Sequence, residues 1–352
     1  MAIAPSTDPL ANFDPSDIGL DNGNLGGLPF DYGTAQTIVF GVPWEVTVSY
    51  GAGTAEGPRT VLEASRQLDL YDFDYPDGWK QGIFMPEMPQ FLLEKSNQLR
   101  EAADQIIEWL EQGRAIATSP ELTALQTTIN HECAAMTDWL FQQAQTALSK
   151  GKRIAVVGGD HSVPLGAIRA LAERYPDFGI LHIDAHADLR EAYEGFEFSH
   201  ASIMFNVLKL PQVSRLVQVG IRDVSHNEIA LIEQSEGRVQ AHFDPALKQK
   251  LYAGIPWIDL CRQIIATLPP QVYISFDVDG LDPKLCPHTG TPVPGGLELE
   301  QAFALFREVV ASDRQIIGFD VSEVGNAEWD GNVGARAVYK LCNLMALSQR
   351  QI

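Results

Sequence analysis

Six short runs of mostly apolar residues, at 37–42, 153–157, 179–183, 215–219, 271–276 and 315–319, constrain the fold more than any other feature of the chain. A strand with one solvated face alternates apolar and polar residues, whereas a strand covered on both faces does not. Ile154-Ala155-Val156-Val157 is of the second kind, and Gly158-Gly159 ends it. Helical spacing fills the intervals, at 58–66, 94–113, 121–150, 226–235, 256–267, 299–311 and 333–348, with a further helix after Ser162. Pro58 suits the first position of a helix, where no backbone donor is needed. Buried strands alternating with helices predict an α/β fold: one three-layer α/β/α domain around a mostly parallel central sheet. That domain is expected over 37–352. Residues 1–36 mix Asp, Asn, Gly, Pro and Ser, and are expected to form a loosely ordered arm that packs on the body or on a neighbouring subunit.

Ligand sites in such sheets lie beyond the carboxyl ends of the strands, and three of the runs end in clusters of one chemistry. Gly158-Gly159-Asp160-His161-Ser162 follows the first, Asp184-Ala185-His186-Ala187-Asp188 the next, and Asp277-Val278-Asp279 the third. Residues two apart on an extended chain point the same way, so Asp184, His186 and Asp188 can converge with Asp277, Asp279 and His161. A lone aspartate after a strand is usually a cap or turn residue. Here Arg190 is the one cation close by in sequence, and carboxylates gathered without a cation repel strongly. A pair of divalent cations relieves that repulsion and draws hydroxide from water at neutral pH. The clusters therefore predict a two-metal hydrolase with ligands His161, Asp184, His186, Asp188, Asp277 and Asp279. A mixed oxygen and nitrogen set without thiolate suits Mn2+, with Ni2+, Co2+ and Fe2+ as alternatives. Asp160 and His182 are read as supporting residues rather than ligands.

Lys and Arg number 25 against 46 Asp and Glu, a net charge of −21. Such a field argues against nucleic acid and anionic membranes as partners, and mildly favours cationic substrates and metal ions. No apolar run reaches transmembrane length, and no basic-then-apolar leader opens the chain. Cys133, Cys261, Cys286 and Cys342 lie far apart without CxxC spacing, as reduced thiols do. A cytoplasmic protein acting on a small molecule is the expectation.

Further motifs stand in order along the chain: Gly41-Val42-Pro43, Gly57-Pro58-Arg59, Ser199-His200, Ser275-Phe276, Asp282-Pro283, Thr289-Gly290-Thr291-Pro292, Gly295-Gly296 and Asp320-Val321-Ser322-Glu323-Val324. Together with the three clusters they resemble the ureohydrolase family of arginases and agmatinases over about residues 37–350. The resemblance implies an arginase-like fold and two divalent metal ions per chain. It assigns one ion to His161, Asp184, Asp188 and Asp277, and the other to Asp184, His186, Asp277 and Asp279. A hydroxide between them would attack a guanidinium carbon and release urea and an amine, with Asp188 helping to protonate the leaving nitrogen. Glu323 matches the family's guanidinium-binding glutamate, whose carboxylate accepts two parallel N–H bonds. His200 matches the proton-shuttle histidine. The resemblance also implies a homotrimer or homohexamer.

The rest of the substrate is set elsewhere. The short spacing from Asp188 to His200, and Glu197-Phe198-Ser199-His200, look more like agmatinases than arginases. Agmatine, cleaved to putrescine and urea, is the first expectation. Arginine, guanidino acids and small guanidines are the alternatives within the family. Arg190 can bind a substrate carboxylate, or pair with Glu191, Glu194 or Glu197 and leave acidic groups for agmatine's ammonium. His288 is expected to project toward the cavity and narrow it, with Trp44 and Trp329. Outside the family stand a single-zinc deacylase and a catalytically silent scaffold, and the intact ligand set counts against both.

Overall fold

The computed structural model describes residues 9–10 and 13–350. Eight strands form its centre: β1 Thr37–Gly41, β2 Ile83–Phe84, β3 Arg153–Val157, β4 Phe178–Ile183, β5 Val213–Val219, β6 Val239–His242, β7 Gln271–Asp277 and β8 Gln315–Ser322. Their order is β2-β1-β3-β8-β7-β4-β5-β6, and every neighbouring pair is parallel. The chain lays down β3 and β4 apart and later inserts β7 and β8 between them. The carboxyl ends of β3, β8, β7 and β4 therefore stand side by side at the middle of the sheet.

Every expected run is a strand. β1 and β4 are buried at each residue, which is why their sequences do not alternate. The two edge strands went unread for a physical reason. β2 has two residues, and β6 is buried only at its first, so neither leaves an apolar run.

The helices pack against one another in pairs around the sheet: Pro120–Ser149 with Leu165–Arg174, Gly57–Ser65 with Glu328–Ser348, and Trp257–Ile265 with Leu299–Ala311. Ser119 starts the longest of them, its side chain accepting from Leu122 N at 3.3 Å, with Pro120 next; both are preferred at helix starts. The last helix begins at Glu328, ahead of the expected 333, because its polar first turn hides the apolar period. Below the rim, Phe276 and Phe306 are fully buried and meet edge to face at 5.5 Å. Each such ring contributes about 1.5–3 kcal/mol by leaving water.

Within the expected arm, residues 24–30 pack on the body of the domain. Residues 1–8 and 11–12 lie outside the described residues. Further along, Asn24 is buried and reaches across to the edge strand: its Nδ2 donates to Leu28 O at 2.9 Å and Ile83 O at 3.0 Å, and its Oδ1 accepts from Met85 N at 3.0 Å. Leu25 and Leu28 join the core. An Asn- and Gly-rich stretch reads as loose because such long-range hydrogen bonds leave no period in a sequence.

Candidate active site

Four adjacent strands each deliver part of the cluster. His161 follows β3, Asp184, His186 and Asp188 follow β4, Asp277 ends β7 with Asp279 in the next turn, and Glu323 follows β8. The glycines before His161 permit a close approach. A Cβ on Gly159 would lie 1.9 Å from Trp44 O, so no other residue fits there. Gly159 O in turn accepts from Glu323 N at 2.9 Å, tying β8 to β3 across the site.

His161 Nδ1 lies 3.0 Å from Asp184 Oδ2, 3.1 Å from Asp277 Oδ2 and 3.2 Å from Asp188 Oδ2. On the other side, His186 Nδ1 lies 3.0 Å from Asp279 Oδ2 and 3.4 Å from Asp184 Oδ1. Asp184 is the shared group, with one oxygen toward each histidine. Asp277 turns Oδ2 toward His161, and its other oxygen accepts from Asp279 N at 2.8 Å. One ring nitrogen cannot satisfy three carboxylates by hydrogen bonding. Oxygens and nitrogens that converge in this way fit a cation between them.

The electrostatics agree. Burial, then the neighbouring Asp184 charge, pushes Asp188 up to about 7. Burial, with Asp279 and Asp184 beside it, holds Asp277 well above the usual carboxylate range. Against the lowering effect of burial, hydrogen bonds to Asp184, Asp188 and Asp277 hold His161 high. These carboxylates cannot all ionise together without added positive charge, and two divalent cations supply it. Asp188 (φ 53°) and Glu323 (φ 62°) also occupy the left-handed backbone region. For non-glycine residues that strain costs about 1–3 kcal/mol each and collects at functional sites.

Glu323 is buried, with Oε1 accepting from His161 N at 2.9 Å and Oε2 left without a partner among the described residues. Bare Gly290 faces that free oxygen, since a Cβ there would stand 3.0 Å away. His200 meets Tyr193 edge to face at 6.0 Å. Burial and the nearby His186 lower its affinity for a proton, leaving a neutral ring.

A cavity of about 290 Å³ adjoins the cluster, lined by His186, Asp188 and His200 and by Arg190, Tyr193 and Asp223, the last joined to His186 by a parallel bridge. Arg190 lies over the Tyr193 ring at 4.7 Å, and its Nε is 3.9 Å from Glu228 Oε2. Its acidic partner thus comes from the helix after β5, not from Glu191, Glu194 or Glu197 of its own loop. Glu228 is itself committed, accepting from Leu189 N, Ser225 N and Ser225 Oγ at 3.1, 2.9 and 2.6 Å. Asp223 is exposed in the cavity wall without a side-chain hydrogen bond or ion pair among the described residues.

Three expected cavity residues stand elsewhere. His288 is not among those lining the cavity: its backbone N and ring Nδ1 bond to Asp330 at 2.9 and 3.2 Å, and its side chain is 57% exposed. Trp329 donates to Lys284 O at 3.2 Å, and Trp44 is buried in the core. The reason is local: buried Asp330, in the first turn of the last helix, holds His288, and Trp329 beside it reaches Lys284 of the same loop.

Sequence reasoning missed two residues. Asp223 carries no motif of its own. Arg222 clamps the loops around the site, donating to Gly220 O at 3.0 Å, Asp279 O at 2.6 Å and Val293 O at 2.9 Å. Its signal was position: an arginine directly after a buried strand, with no acid due to face it.

A sequence model of the arginase family matches residues 35–347. An N(1)-aminopropylagmatine ureohydrolase of Thermus thermophilus is 30% identical over 320 residues, covering 90% of this chain and 92% of that one. An agmatinase of Halalkalibacterium halodurans is 27% identical over 298 residues, covering 84% and 86%. Among solved structures, the agmatine ureohydrolase of Thermoplasma volcanium shares the fold, with a TM-score of 0.70 at 22% identity over 94% of this chain and 97% of that one. The chain belongs to the arginase family and is a hydrolase acting on the C–N bonds of linear amidines.

Proposed function

We propose that this protein hydrolyses agmatine to putrescine and urea, using two divalent cations, Mn2+ in first place and Ni2+ as the alternative. The observation that carries the reading is Asp184, whose two oxygens turn toward two different histidines, each with further carboxylates around it. His161, Asp184, Asp188 and Asp277 would hold one ion, and Asp184, His186 and Asp279 the other, with Asp277 the second bridge that the resemblance implies. Bound there, the cations would make water a nucleophile at neutral pH.

The chain's own groups do the rest. The free Oε2 of Glu323 accepts from a guanidinium N–H and fixes the planar carbon over the cluster. Addition of water to that carbon and loss of the alkyl amine convert R–NH–C(NH2)2+ and H2O into R–NH3+ and urea. Asp188, in the cavity wall, can pass a proton to the departing nitrogen, the role the resemblance implies. His200, a neutral ring in the cavity wall, can pass a proton between site and solvent.

Asp223 supports a substrate with a cationic tail, because it is the uncommitted carboxylate of the wall. Arg190, already against Tyr193 and Glu228, is a weaker receptor for a substrate carboxylate than its position in sequence implied. A second reading has its own support. The cavity wall runs out to Tyr50, 83% exposed, which leaves room for the longer tail of N(1)-aminopropylagmatine, the compound named in the Thermus relative. Family membership supports a homotrimer or homohexamer. Four buried free cysteines support a reducing cytoplasm, and no helix among the described residues is long and apolar enough to cross a membrane.

Urea release from agmatine, N(1)-aminopropylagmatine, arginine, 4-guanidinobutyrate and free guanidine, with Mn2+ or Ni2+ loaded, tests the reading. Preference for either amine-tailed compound supports it. Preference for arginine or 4-guanidinobutyrate would contradict the role given to Asp223.

A further inference from the structure

One layer beneath the candidate ligands, four polar side chains form a row across the sheet: Gln218 on β5, His182 on β4, Ser275 on β7 and Asp320 on β8. Each is the register partner of the next, and all four are fully buried. Side chains along a strand alternate with a period of two, so His182 shares a face with Asp184, and Ser275 with Asp277. Buried polar groups cost about 1–3 kcal/mol each when left unpaired. A row of four inside a parallel sheet therefore calls for a reason.

Gln218 sets the direction of the bonds. Its Nε2 lies 2.7 Å from Ala187 O and 3.0 Å from His182 Nδ1. A carbonyl oxygen can only accept, so the amide nitrogen faces Ala187, and its second hydrogen faces Nδ1, which accepts it. The proton of a neutral His182 ring then sits on Nε2, 2.8 Å from Asp184 Oδ2. At the other end of the row His161 is arranged in reverse. Its Nε2 is 2.9 Å from Ser275 Oγ, with Asp320 Oδ2 at 3.7 Å. A ring proton on Nε2 faces these two oxygens and donates to Ser275. In the neutral ring the lone pair of His161 Nδ1 is then left facing the carboxylates.

We propose that His182 is a positioning residue and not a metal ligand: backed by Gln218, it is a fixed donor that holds the shared carboxylate Asp184, while Ser275 and Asp320 make the neighbouring His161 an acceptor toward the ions. The proposal rests on the two-metal reading above. Distance alone does not decide it, since ligand atoms of His182, His161, Asp184 and Asp188 all lie within 4.8 Å of one another. Ligation by His182 needs a bare lone pair at Nε2, hence a proton at Nδ1, where a Gln218 N–H already points.

The test is calorimetric titration of Mn2+ into metal-free wild type, His182→Phe and Gln218→Leu. Two ions per wild-type chain are expected; fewer would sink the two-metal reading itself. Both variants should still bind two ions, with affinity weakened about 10–100-fold, the usual effect of losing a group that orients a ligand. Turnover should fall in kcat with little change in KM. If His182→Phe binds one ion and holds it at wild-type strength, His182 is a ligand and the proposal fails. Unchanged affinity at both sites would also overturn it. Should His182→Phe not fold, 15N NMR of histidine-labelled, metal-free wild type reads the same point. A proton on His182 Nε2 is expected, and a proton on Nδ1 would contradict the proposal.

Discussion

The candidate ligands (the metal end) hang on four neighbouring strands, while the rest of the cavity wall (the far end) hangs on loops. Every candidate ligand follows a buried strand closely, so none can move without disturbing the sheet. Tyr50, Asp223 and Val293 come from three separate connections, Arg190 and Tyr193 from the loop after β4, and Tyr50 and Asp223 stand open to solvent. The ends also differ electrostatically. Like charges are forced together at the metal end, and the far end leaves one acid without a partner. Reaction chemistry and choice of substrate are thus carried by separable parts of one fold, as is usual where loops decorate a rigid sheet.

That separation can be broken from either side. The largest effect is expected at the metal end, where Asp277→Asn should lower kcat/KM by about 10³-fold or more for every substrate alike. The loss is several kcal/mol of cation-dependent stabilisation, at 1.36 kcal/mol per decade. A loss confined to one substrate would mean that the ends are not separable.

Stripping the metal should expose the crowding of charge. Asp188, at about 7, and Asp277 and Glu323, also raised first by burial, keep protons in the folded state that the unfolded chain has released. Their contribution to stability is full below about pH 4 and is lost as pH rises through the folded values. His161 and His186, raised by their carboxylate partners against burial, lose theirs above about pH 6.5. Asp184, held low by His182 and His161 despite burial, titrates below this range, while His182, His200 and His242, lowered first by burial, act in the opposite direction only up to about pH 6.5. The melting temperature of metal-free protein should therefore fall between about pH 5 and about pH 8, and Mn2+ should restore more of it at the higher pH. A rising melting temperature would remove the repulsion from the account.

At the far end the effect should be smaller and selective. Asp223→Asn should raise KM for an amine-tailed substrate about tenfold, the scale of one charged hydrogen bond, and leave turnover of free guanidine unchanged. The smallest effect belongs to His288→Gly. With its ring on Asp330, substrate preference should change by less than about twofold, within the range of ordinary surface substitutions. A larger switch would return that residue to the cavity wall.

How much was legible in the sequence follows the same divide. The central strands and the gathering of the six candidate ligands could be read because a buried parallel strand forces an apolar run, and the residues just past it must face the site. Asp184, His186 and Asp188 are visible for that reason. The tail end was not readable in this way. Arg190 found its acid in Glu228, 38 positions on by subtraction of the residue numbers, and His288 turned to a buried Asp330 rather than to the cavity. Loop side chains choose partners by tertiary placement, which no local spacing encodes. The packing of residues 24–30 on the body left no local signal either, since Asn24 is held by the backbone of Ile83 and Met85, far along the chain.

The account stands most directly on two cations gathered by strand ends. Anomalous diffraction from crystals soaked in Mn2+ should show two peaks. One should lie among His161, Asp184, Asp188 and Asp277, and the other among His186, Asp184 and Asp279. A single peak, or a pair in which His182 Nε2 takes the place of Asp184 as a contact, would contradict it.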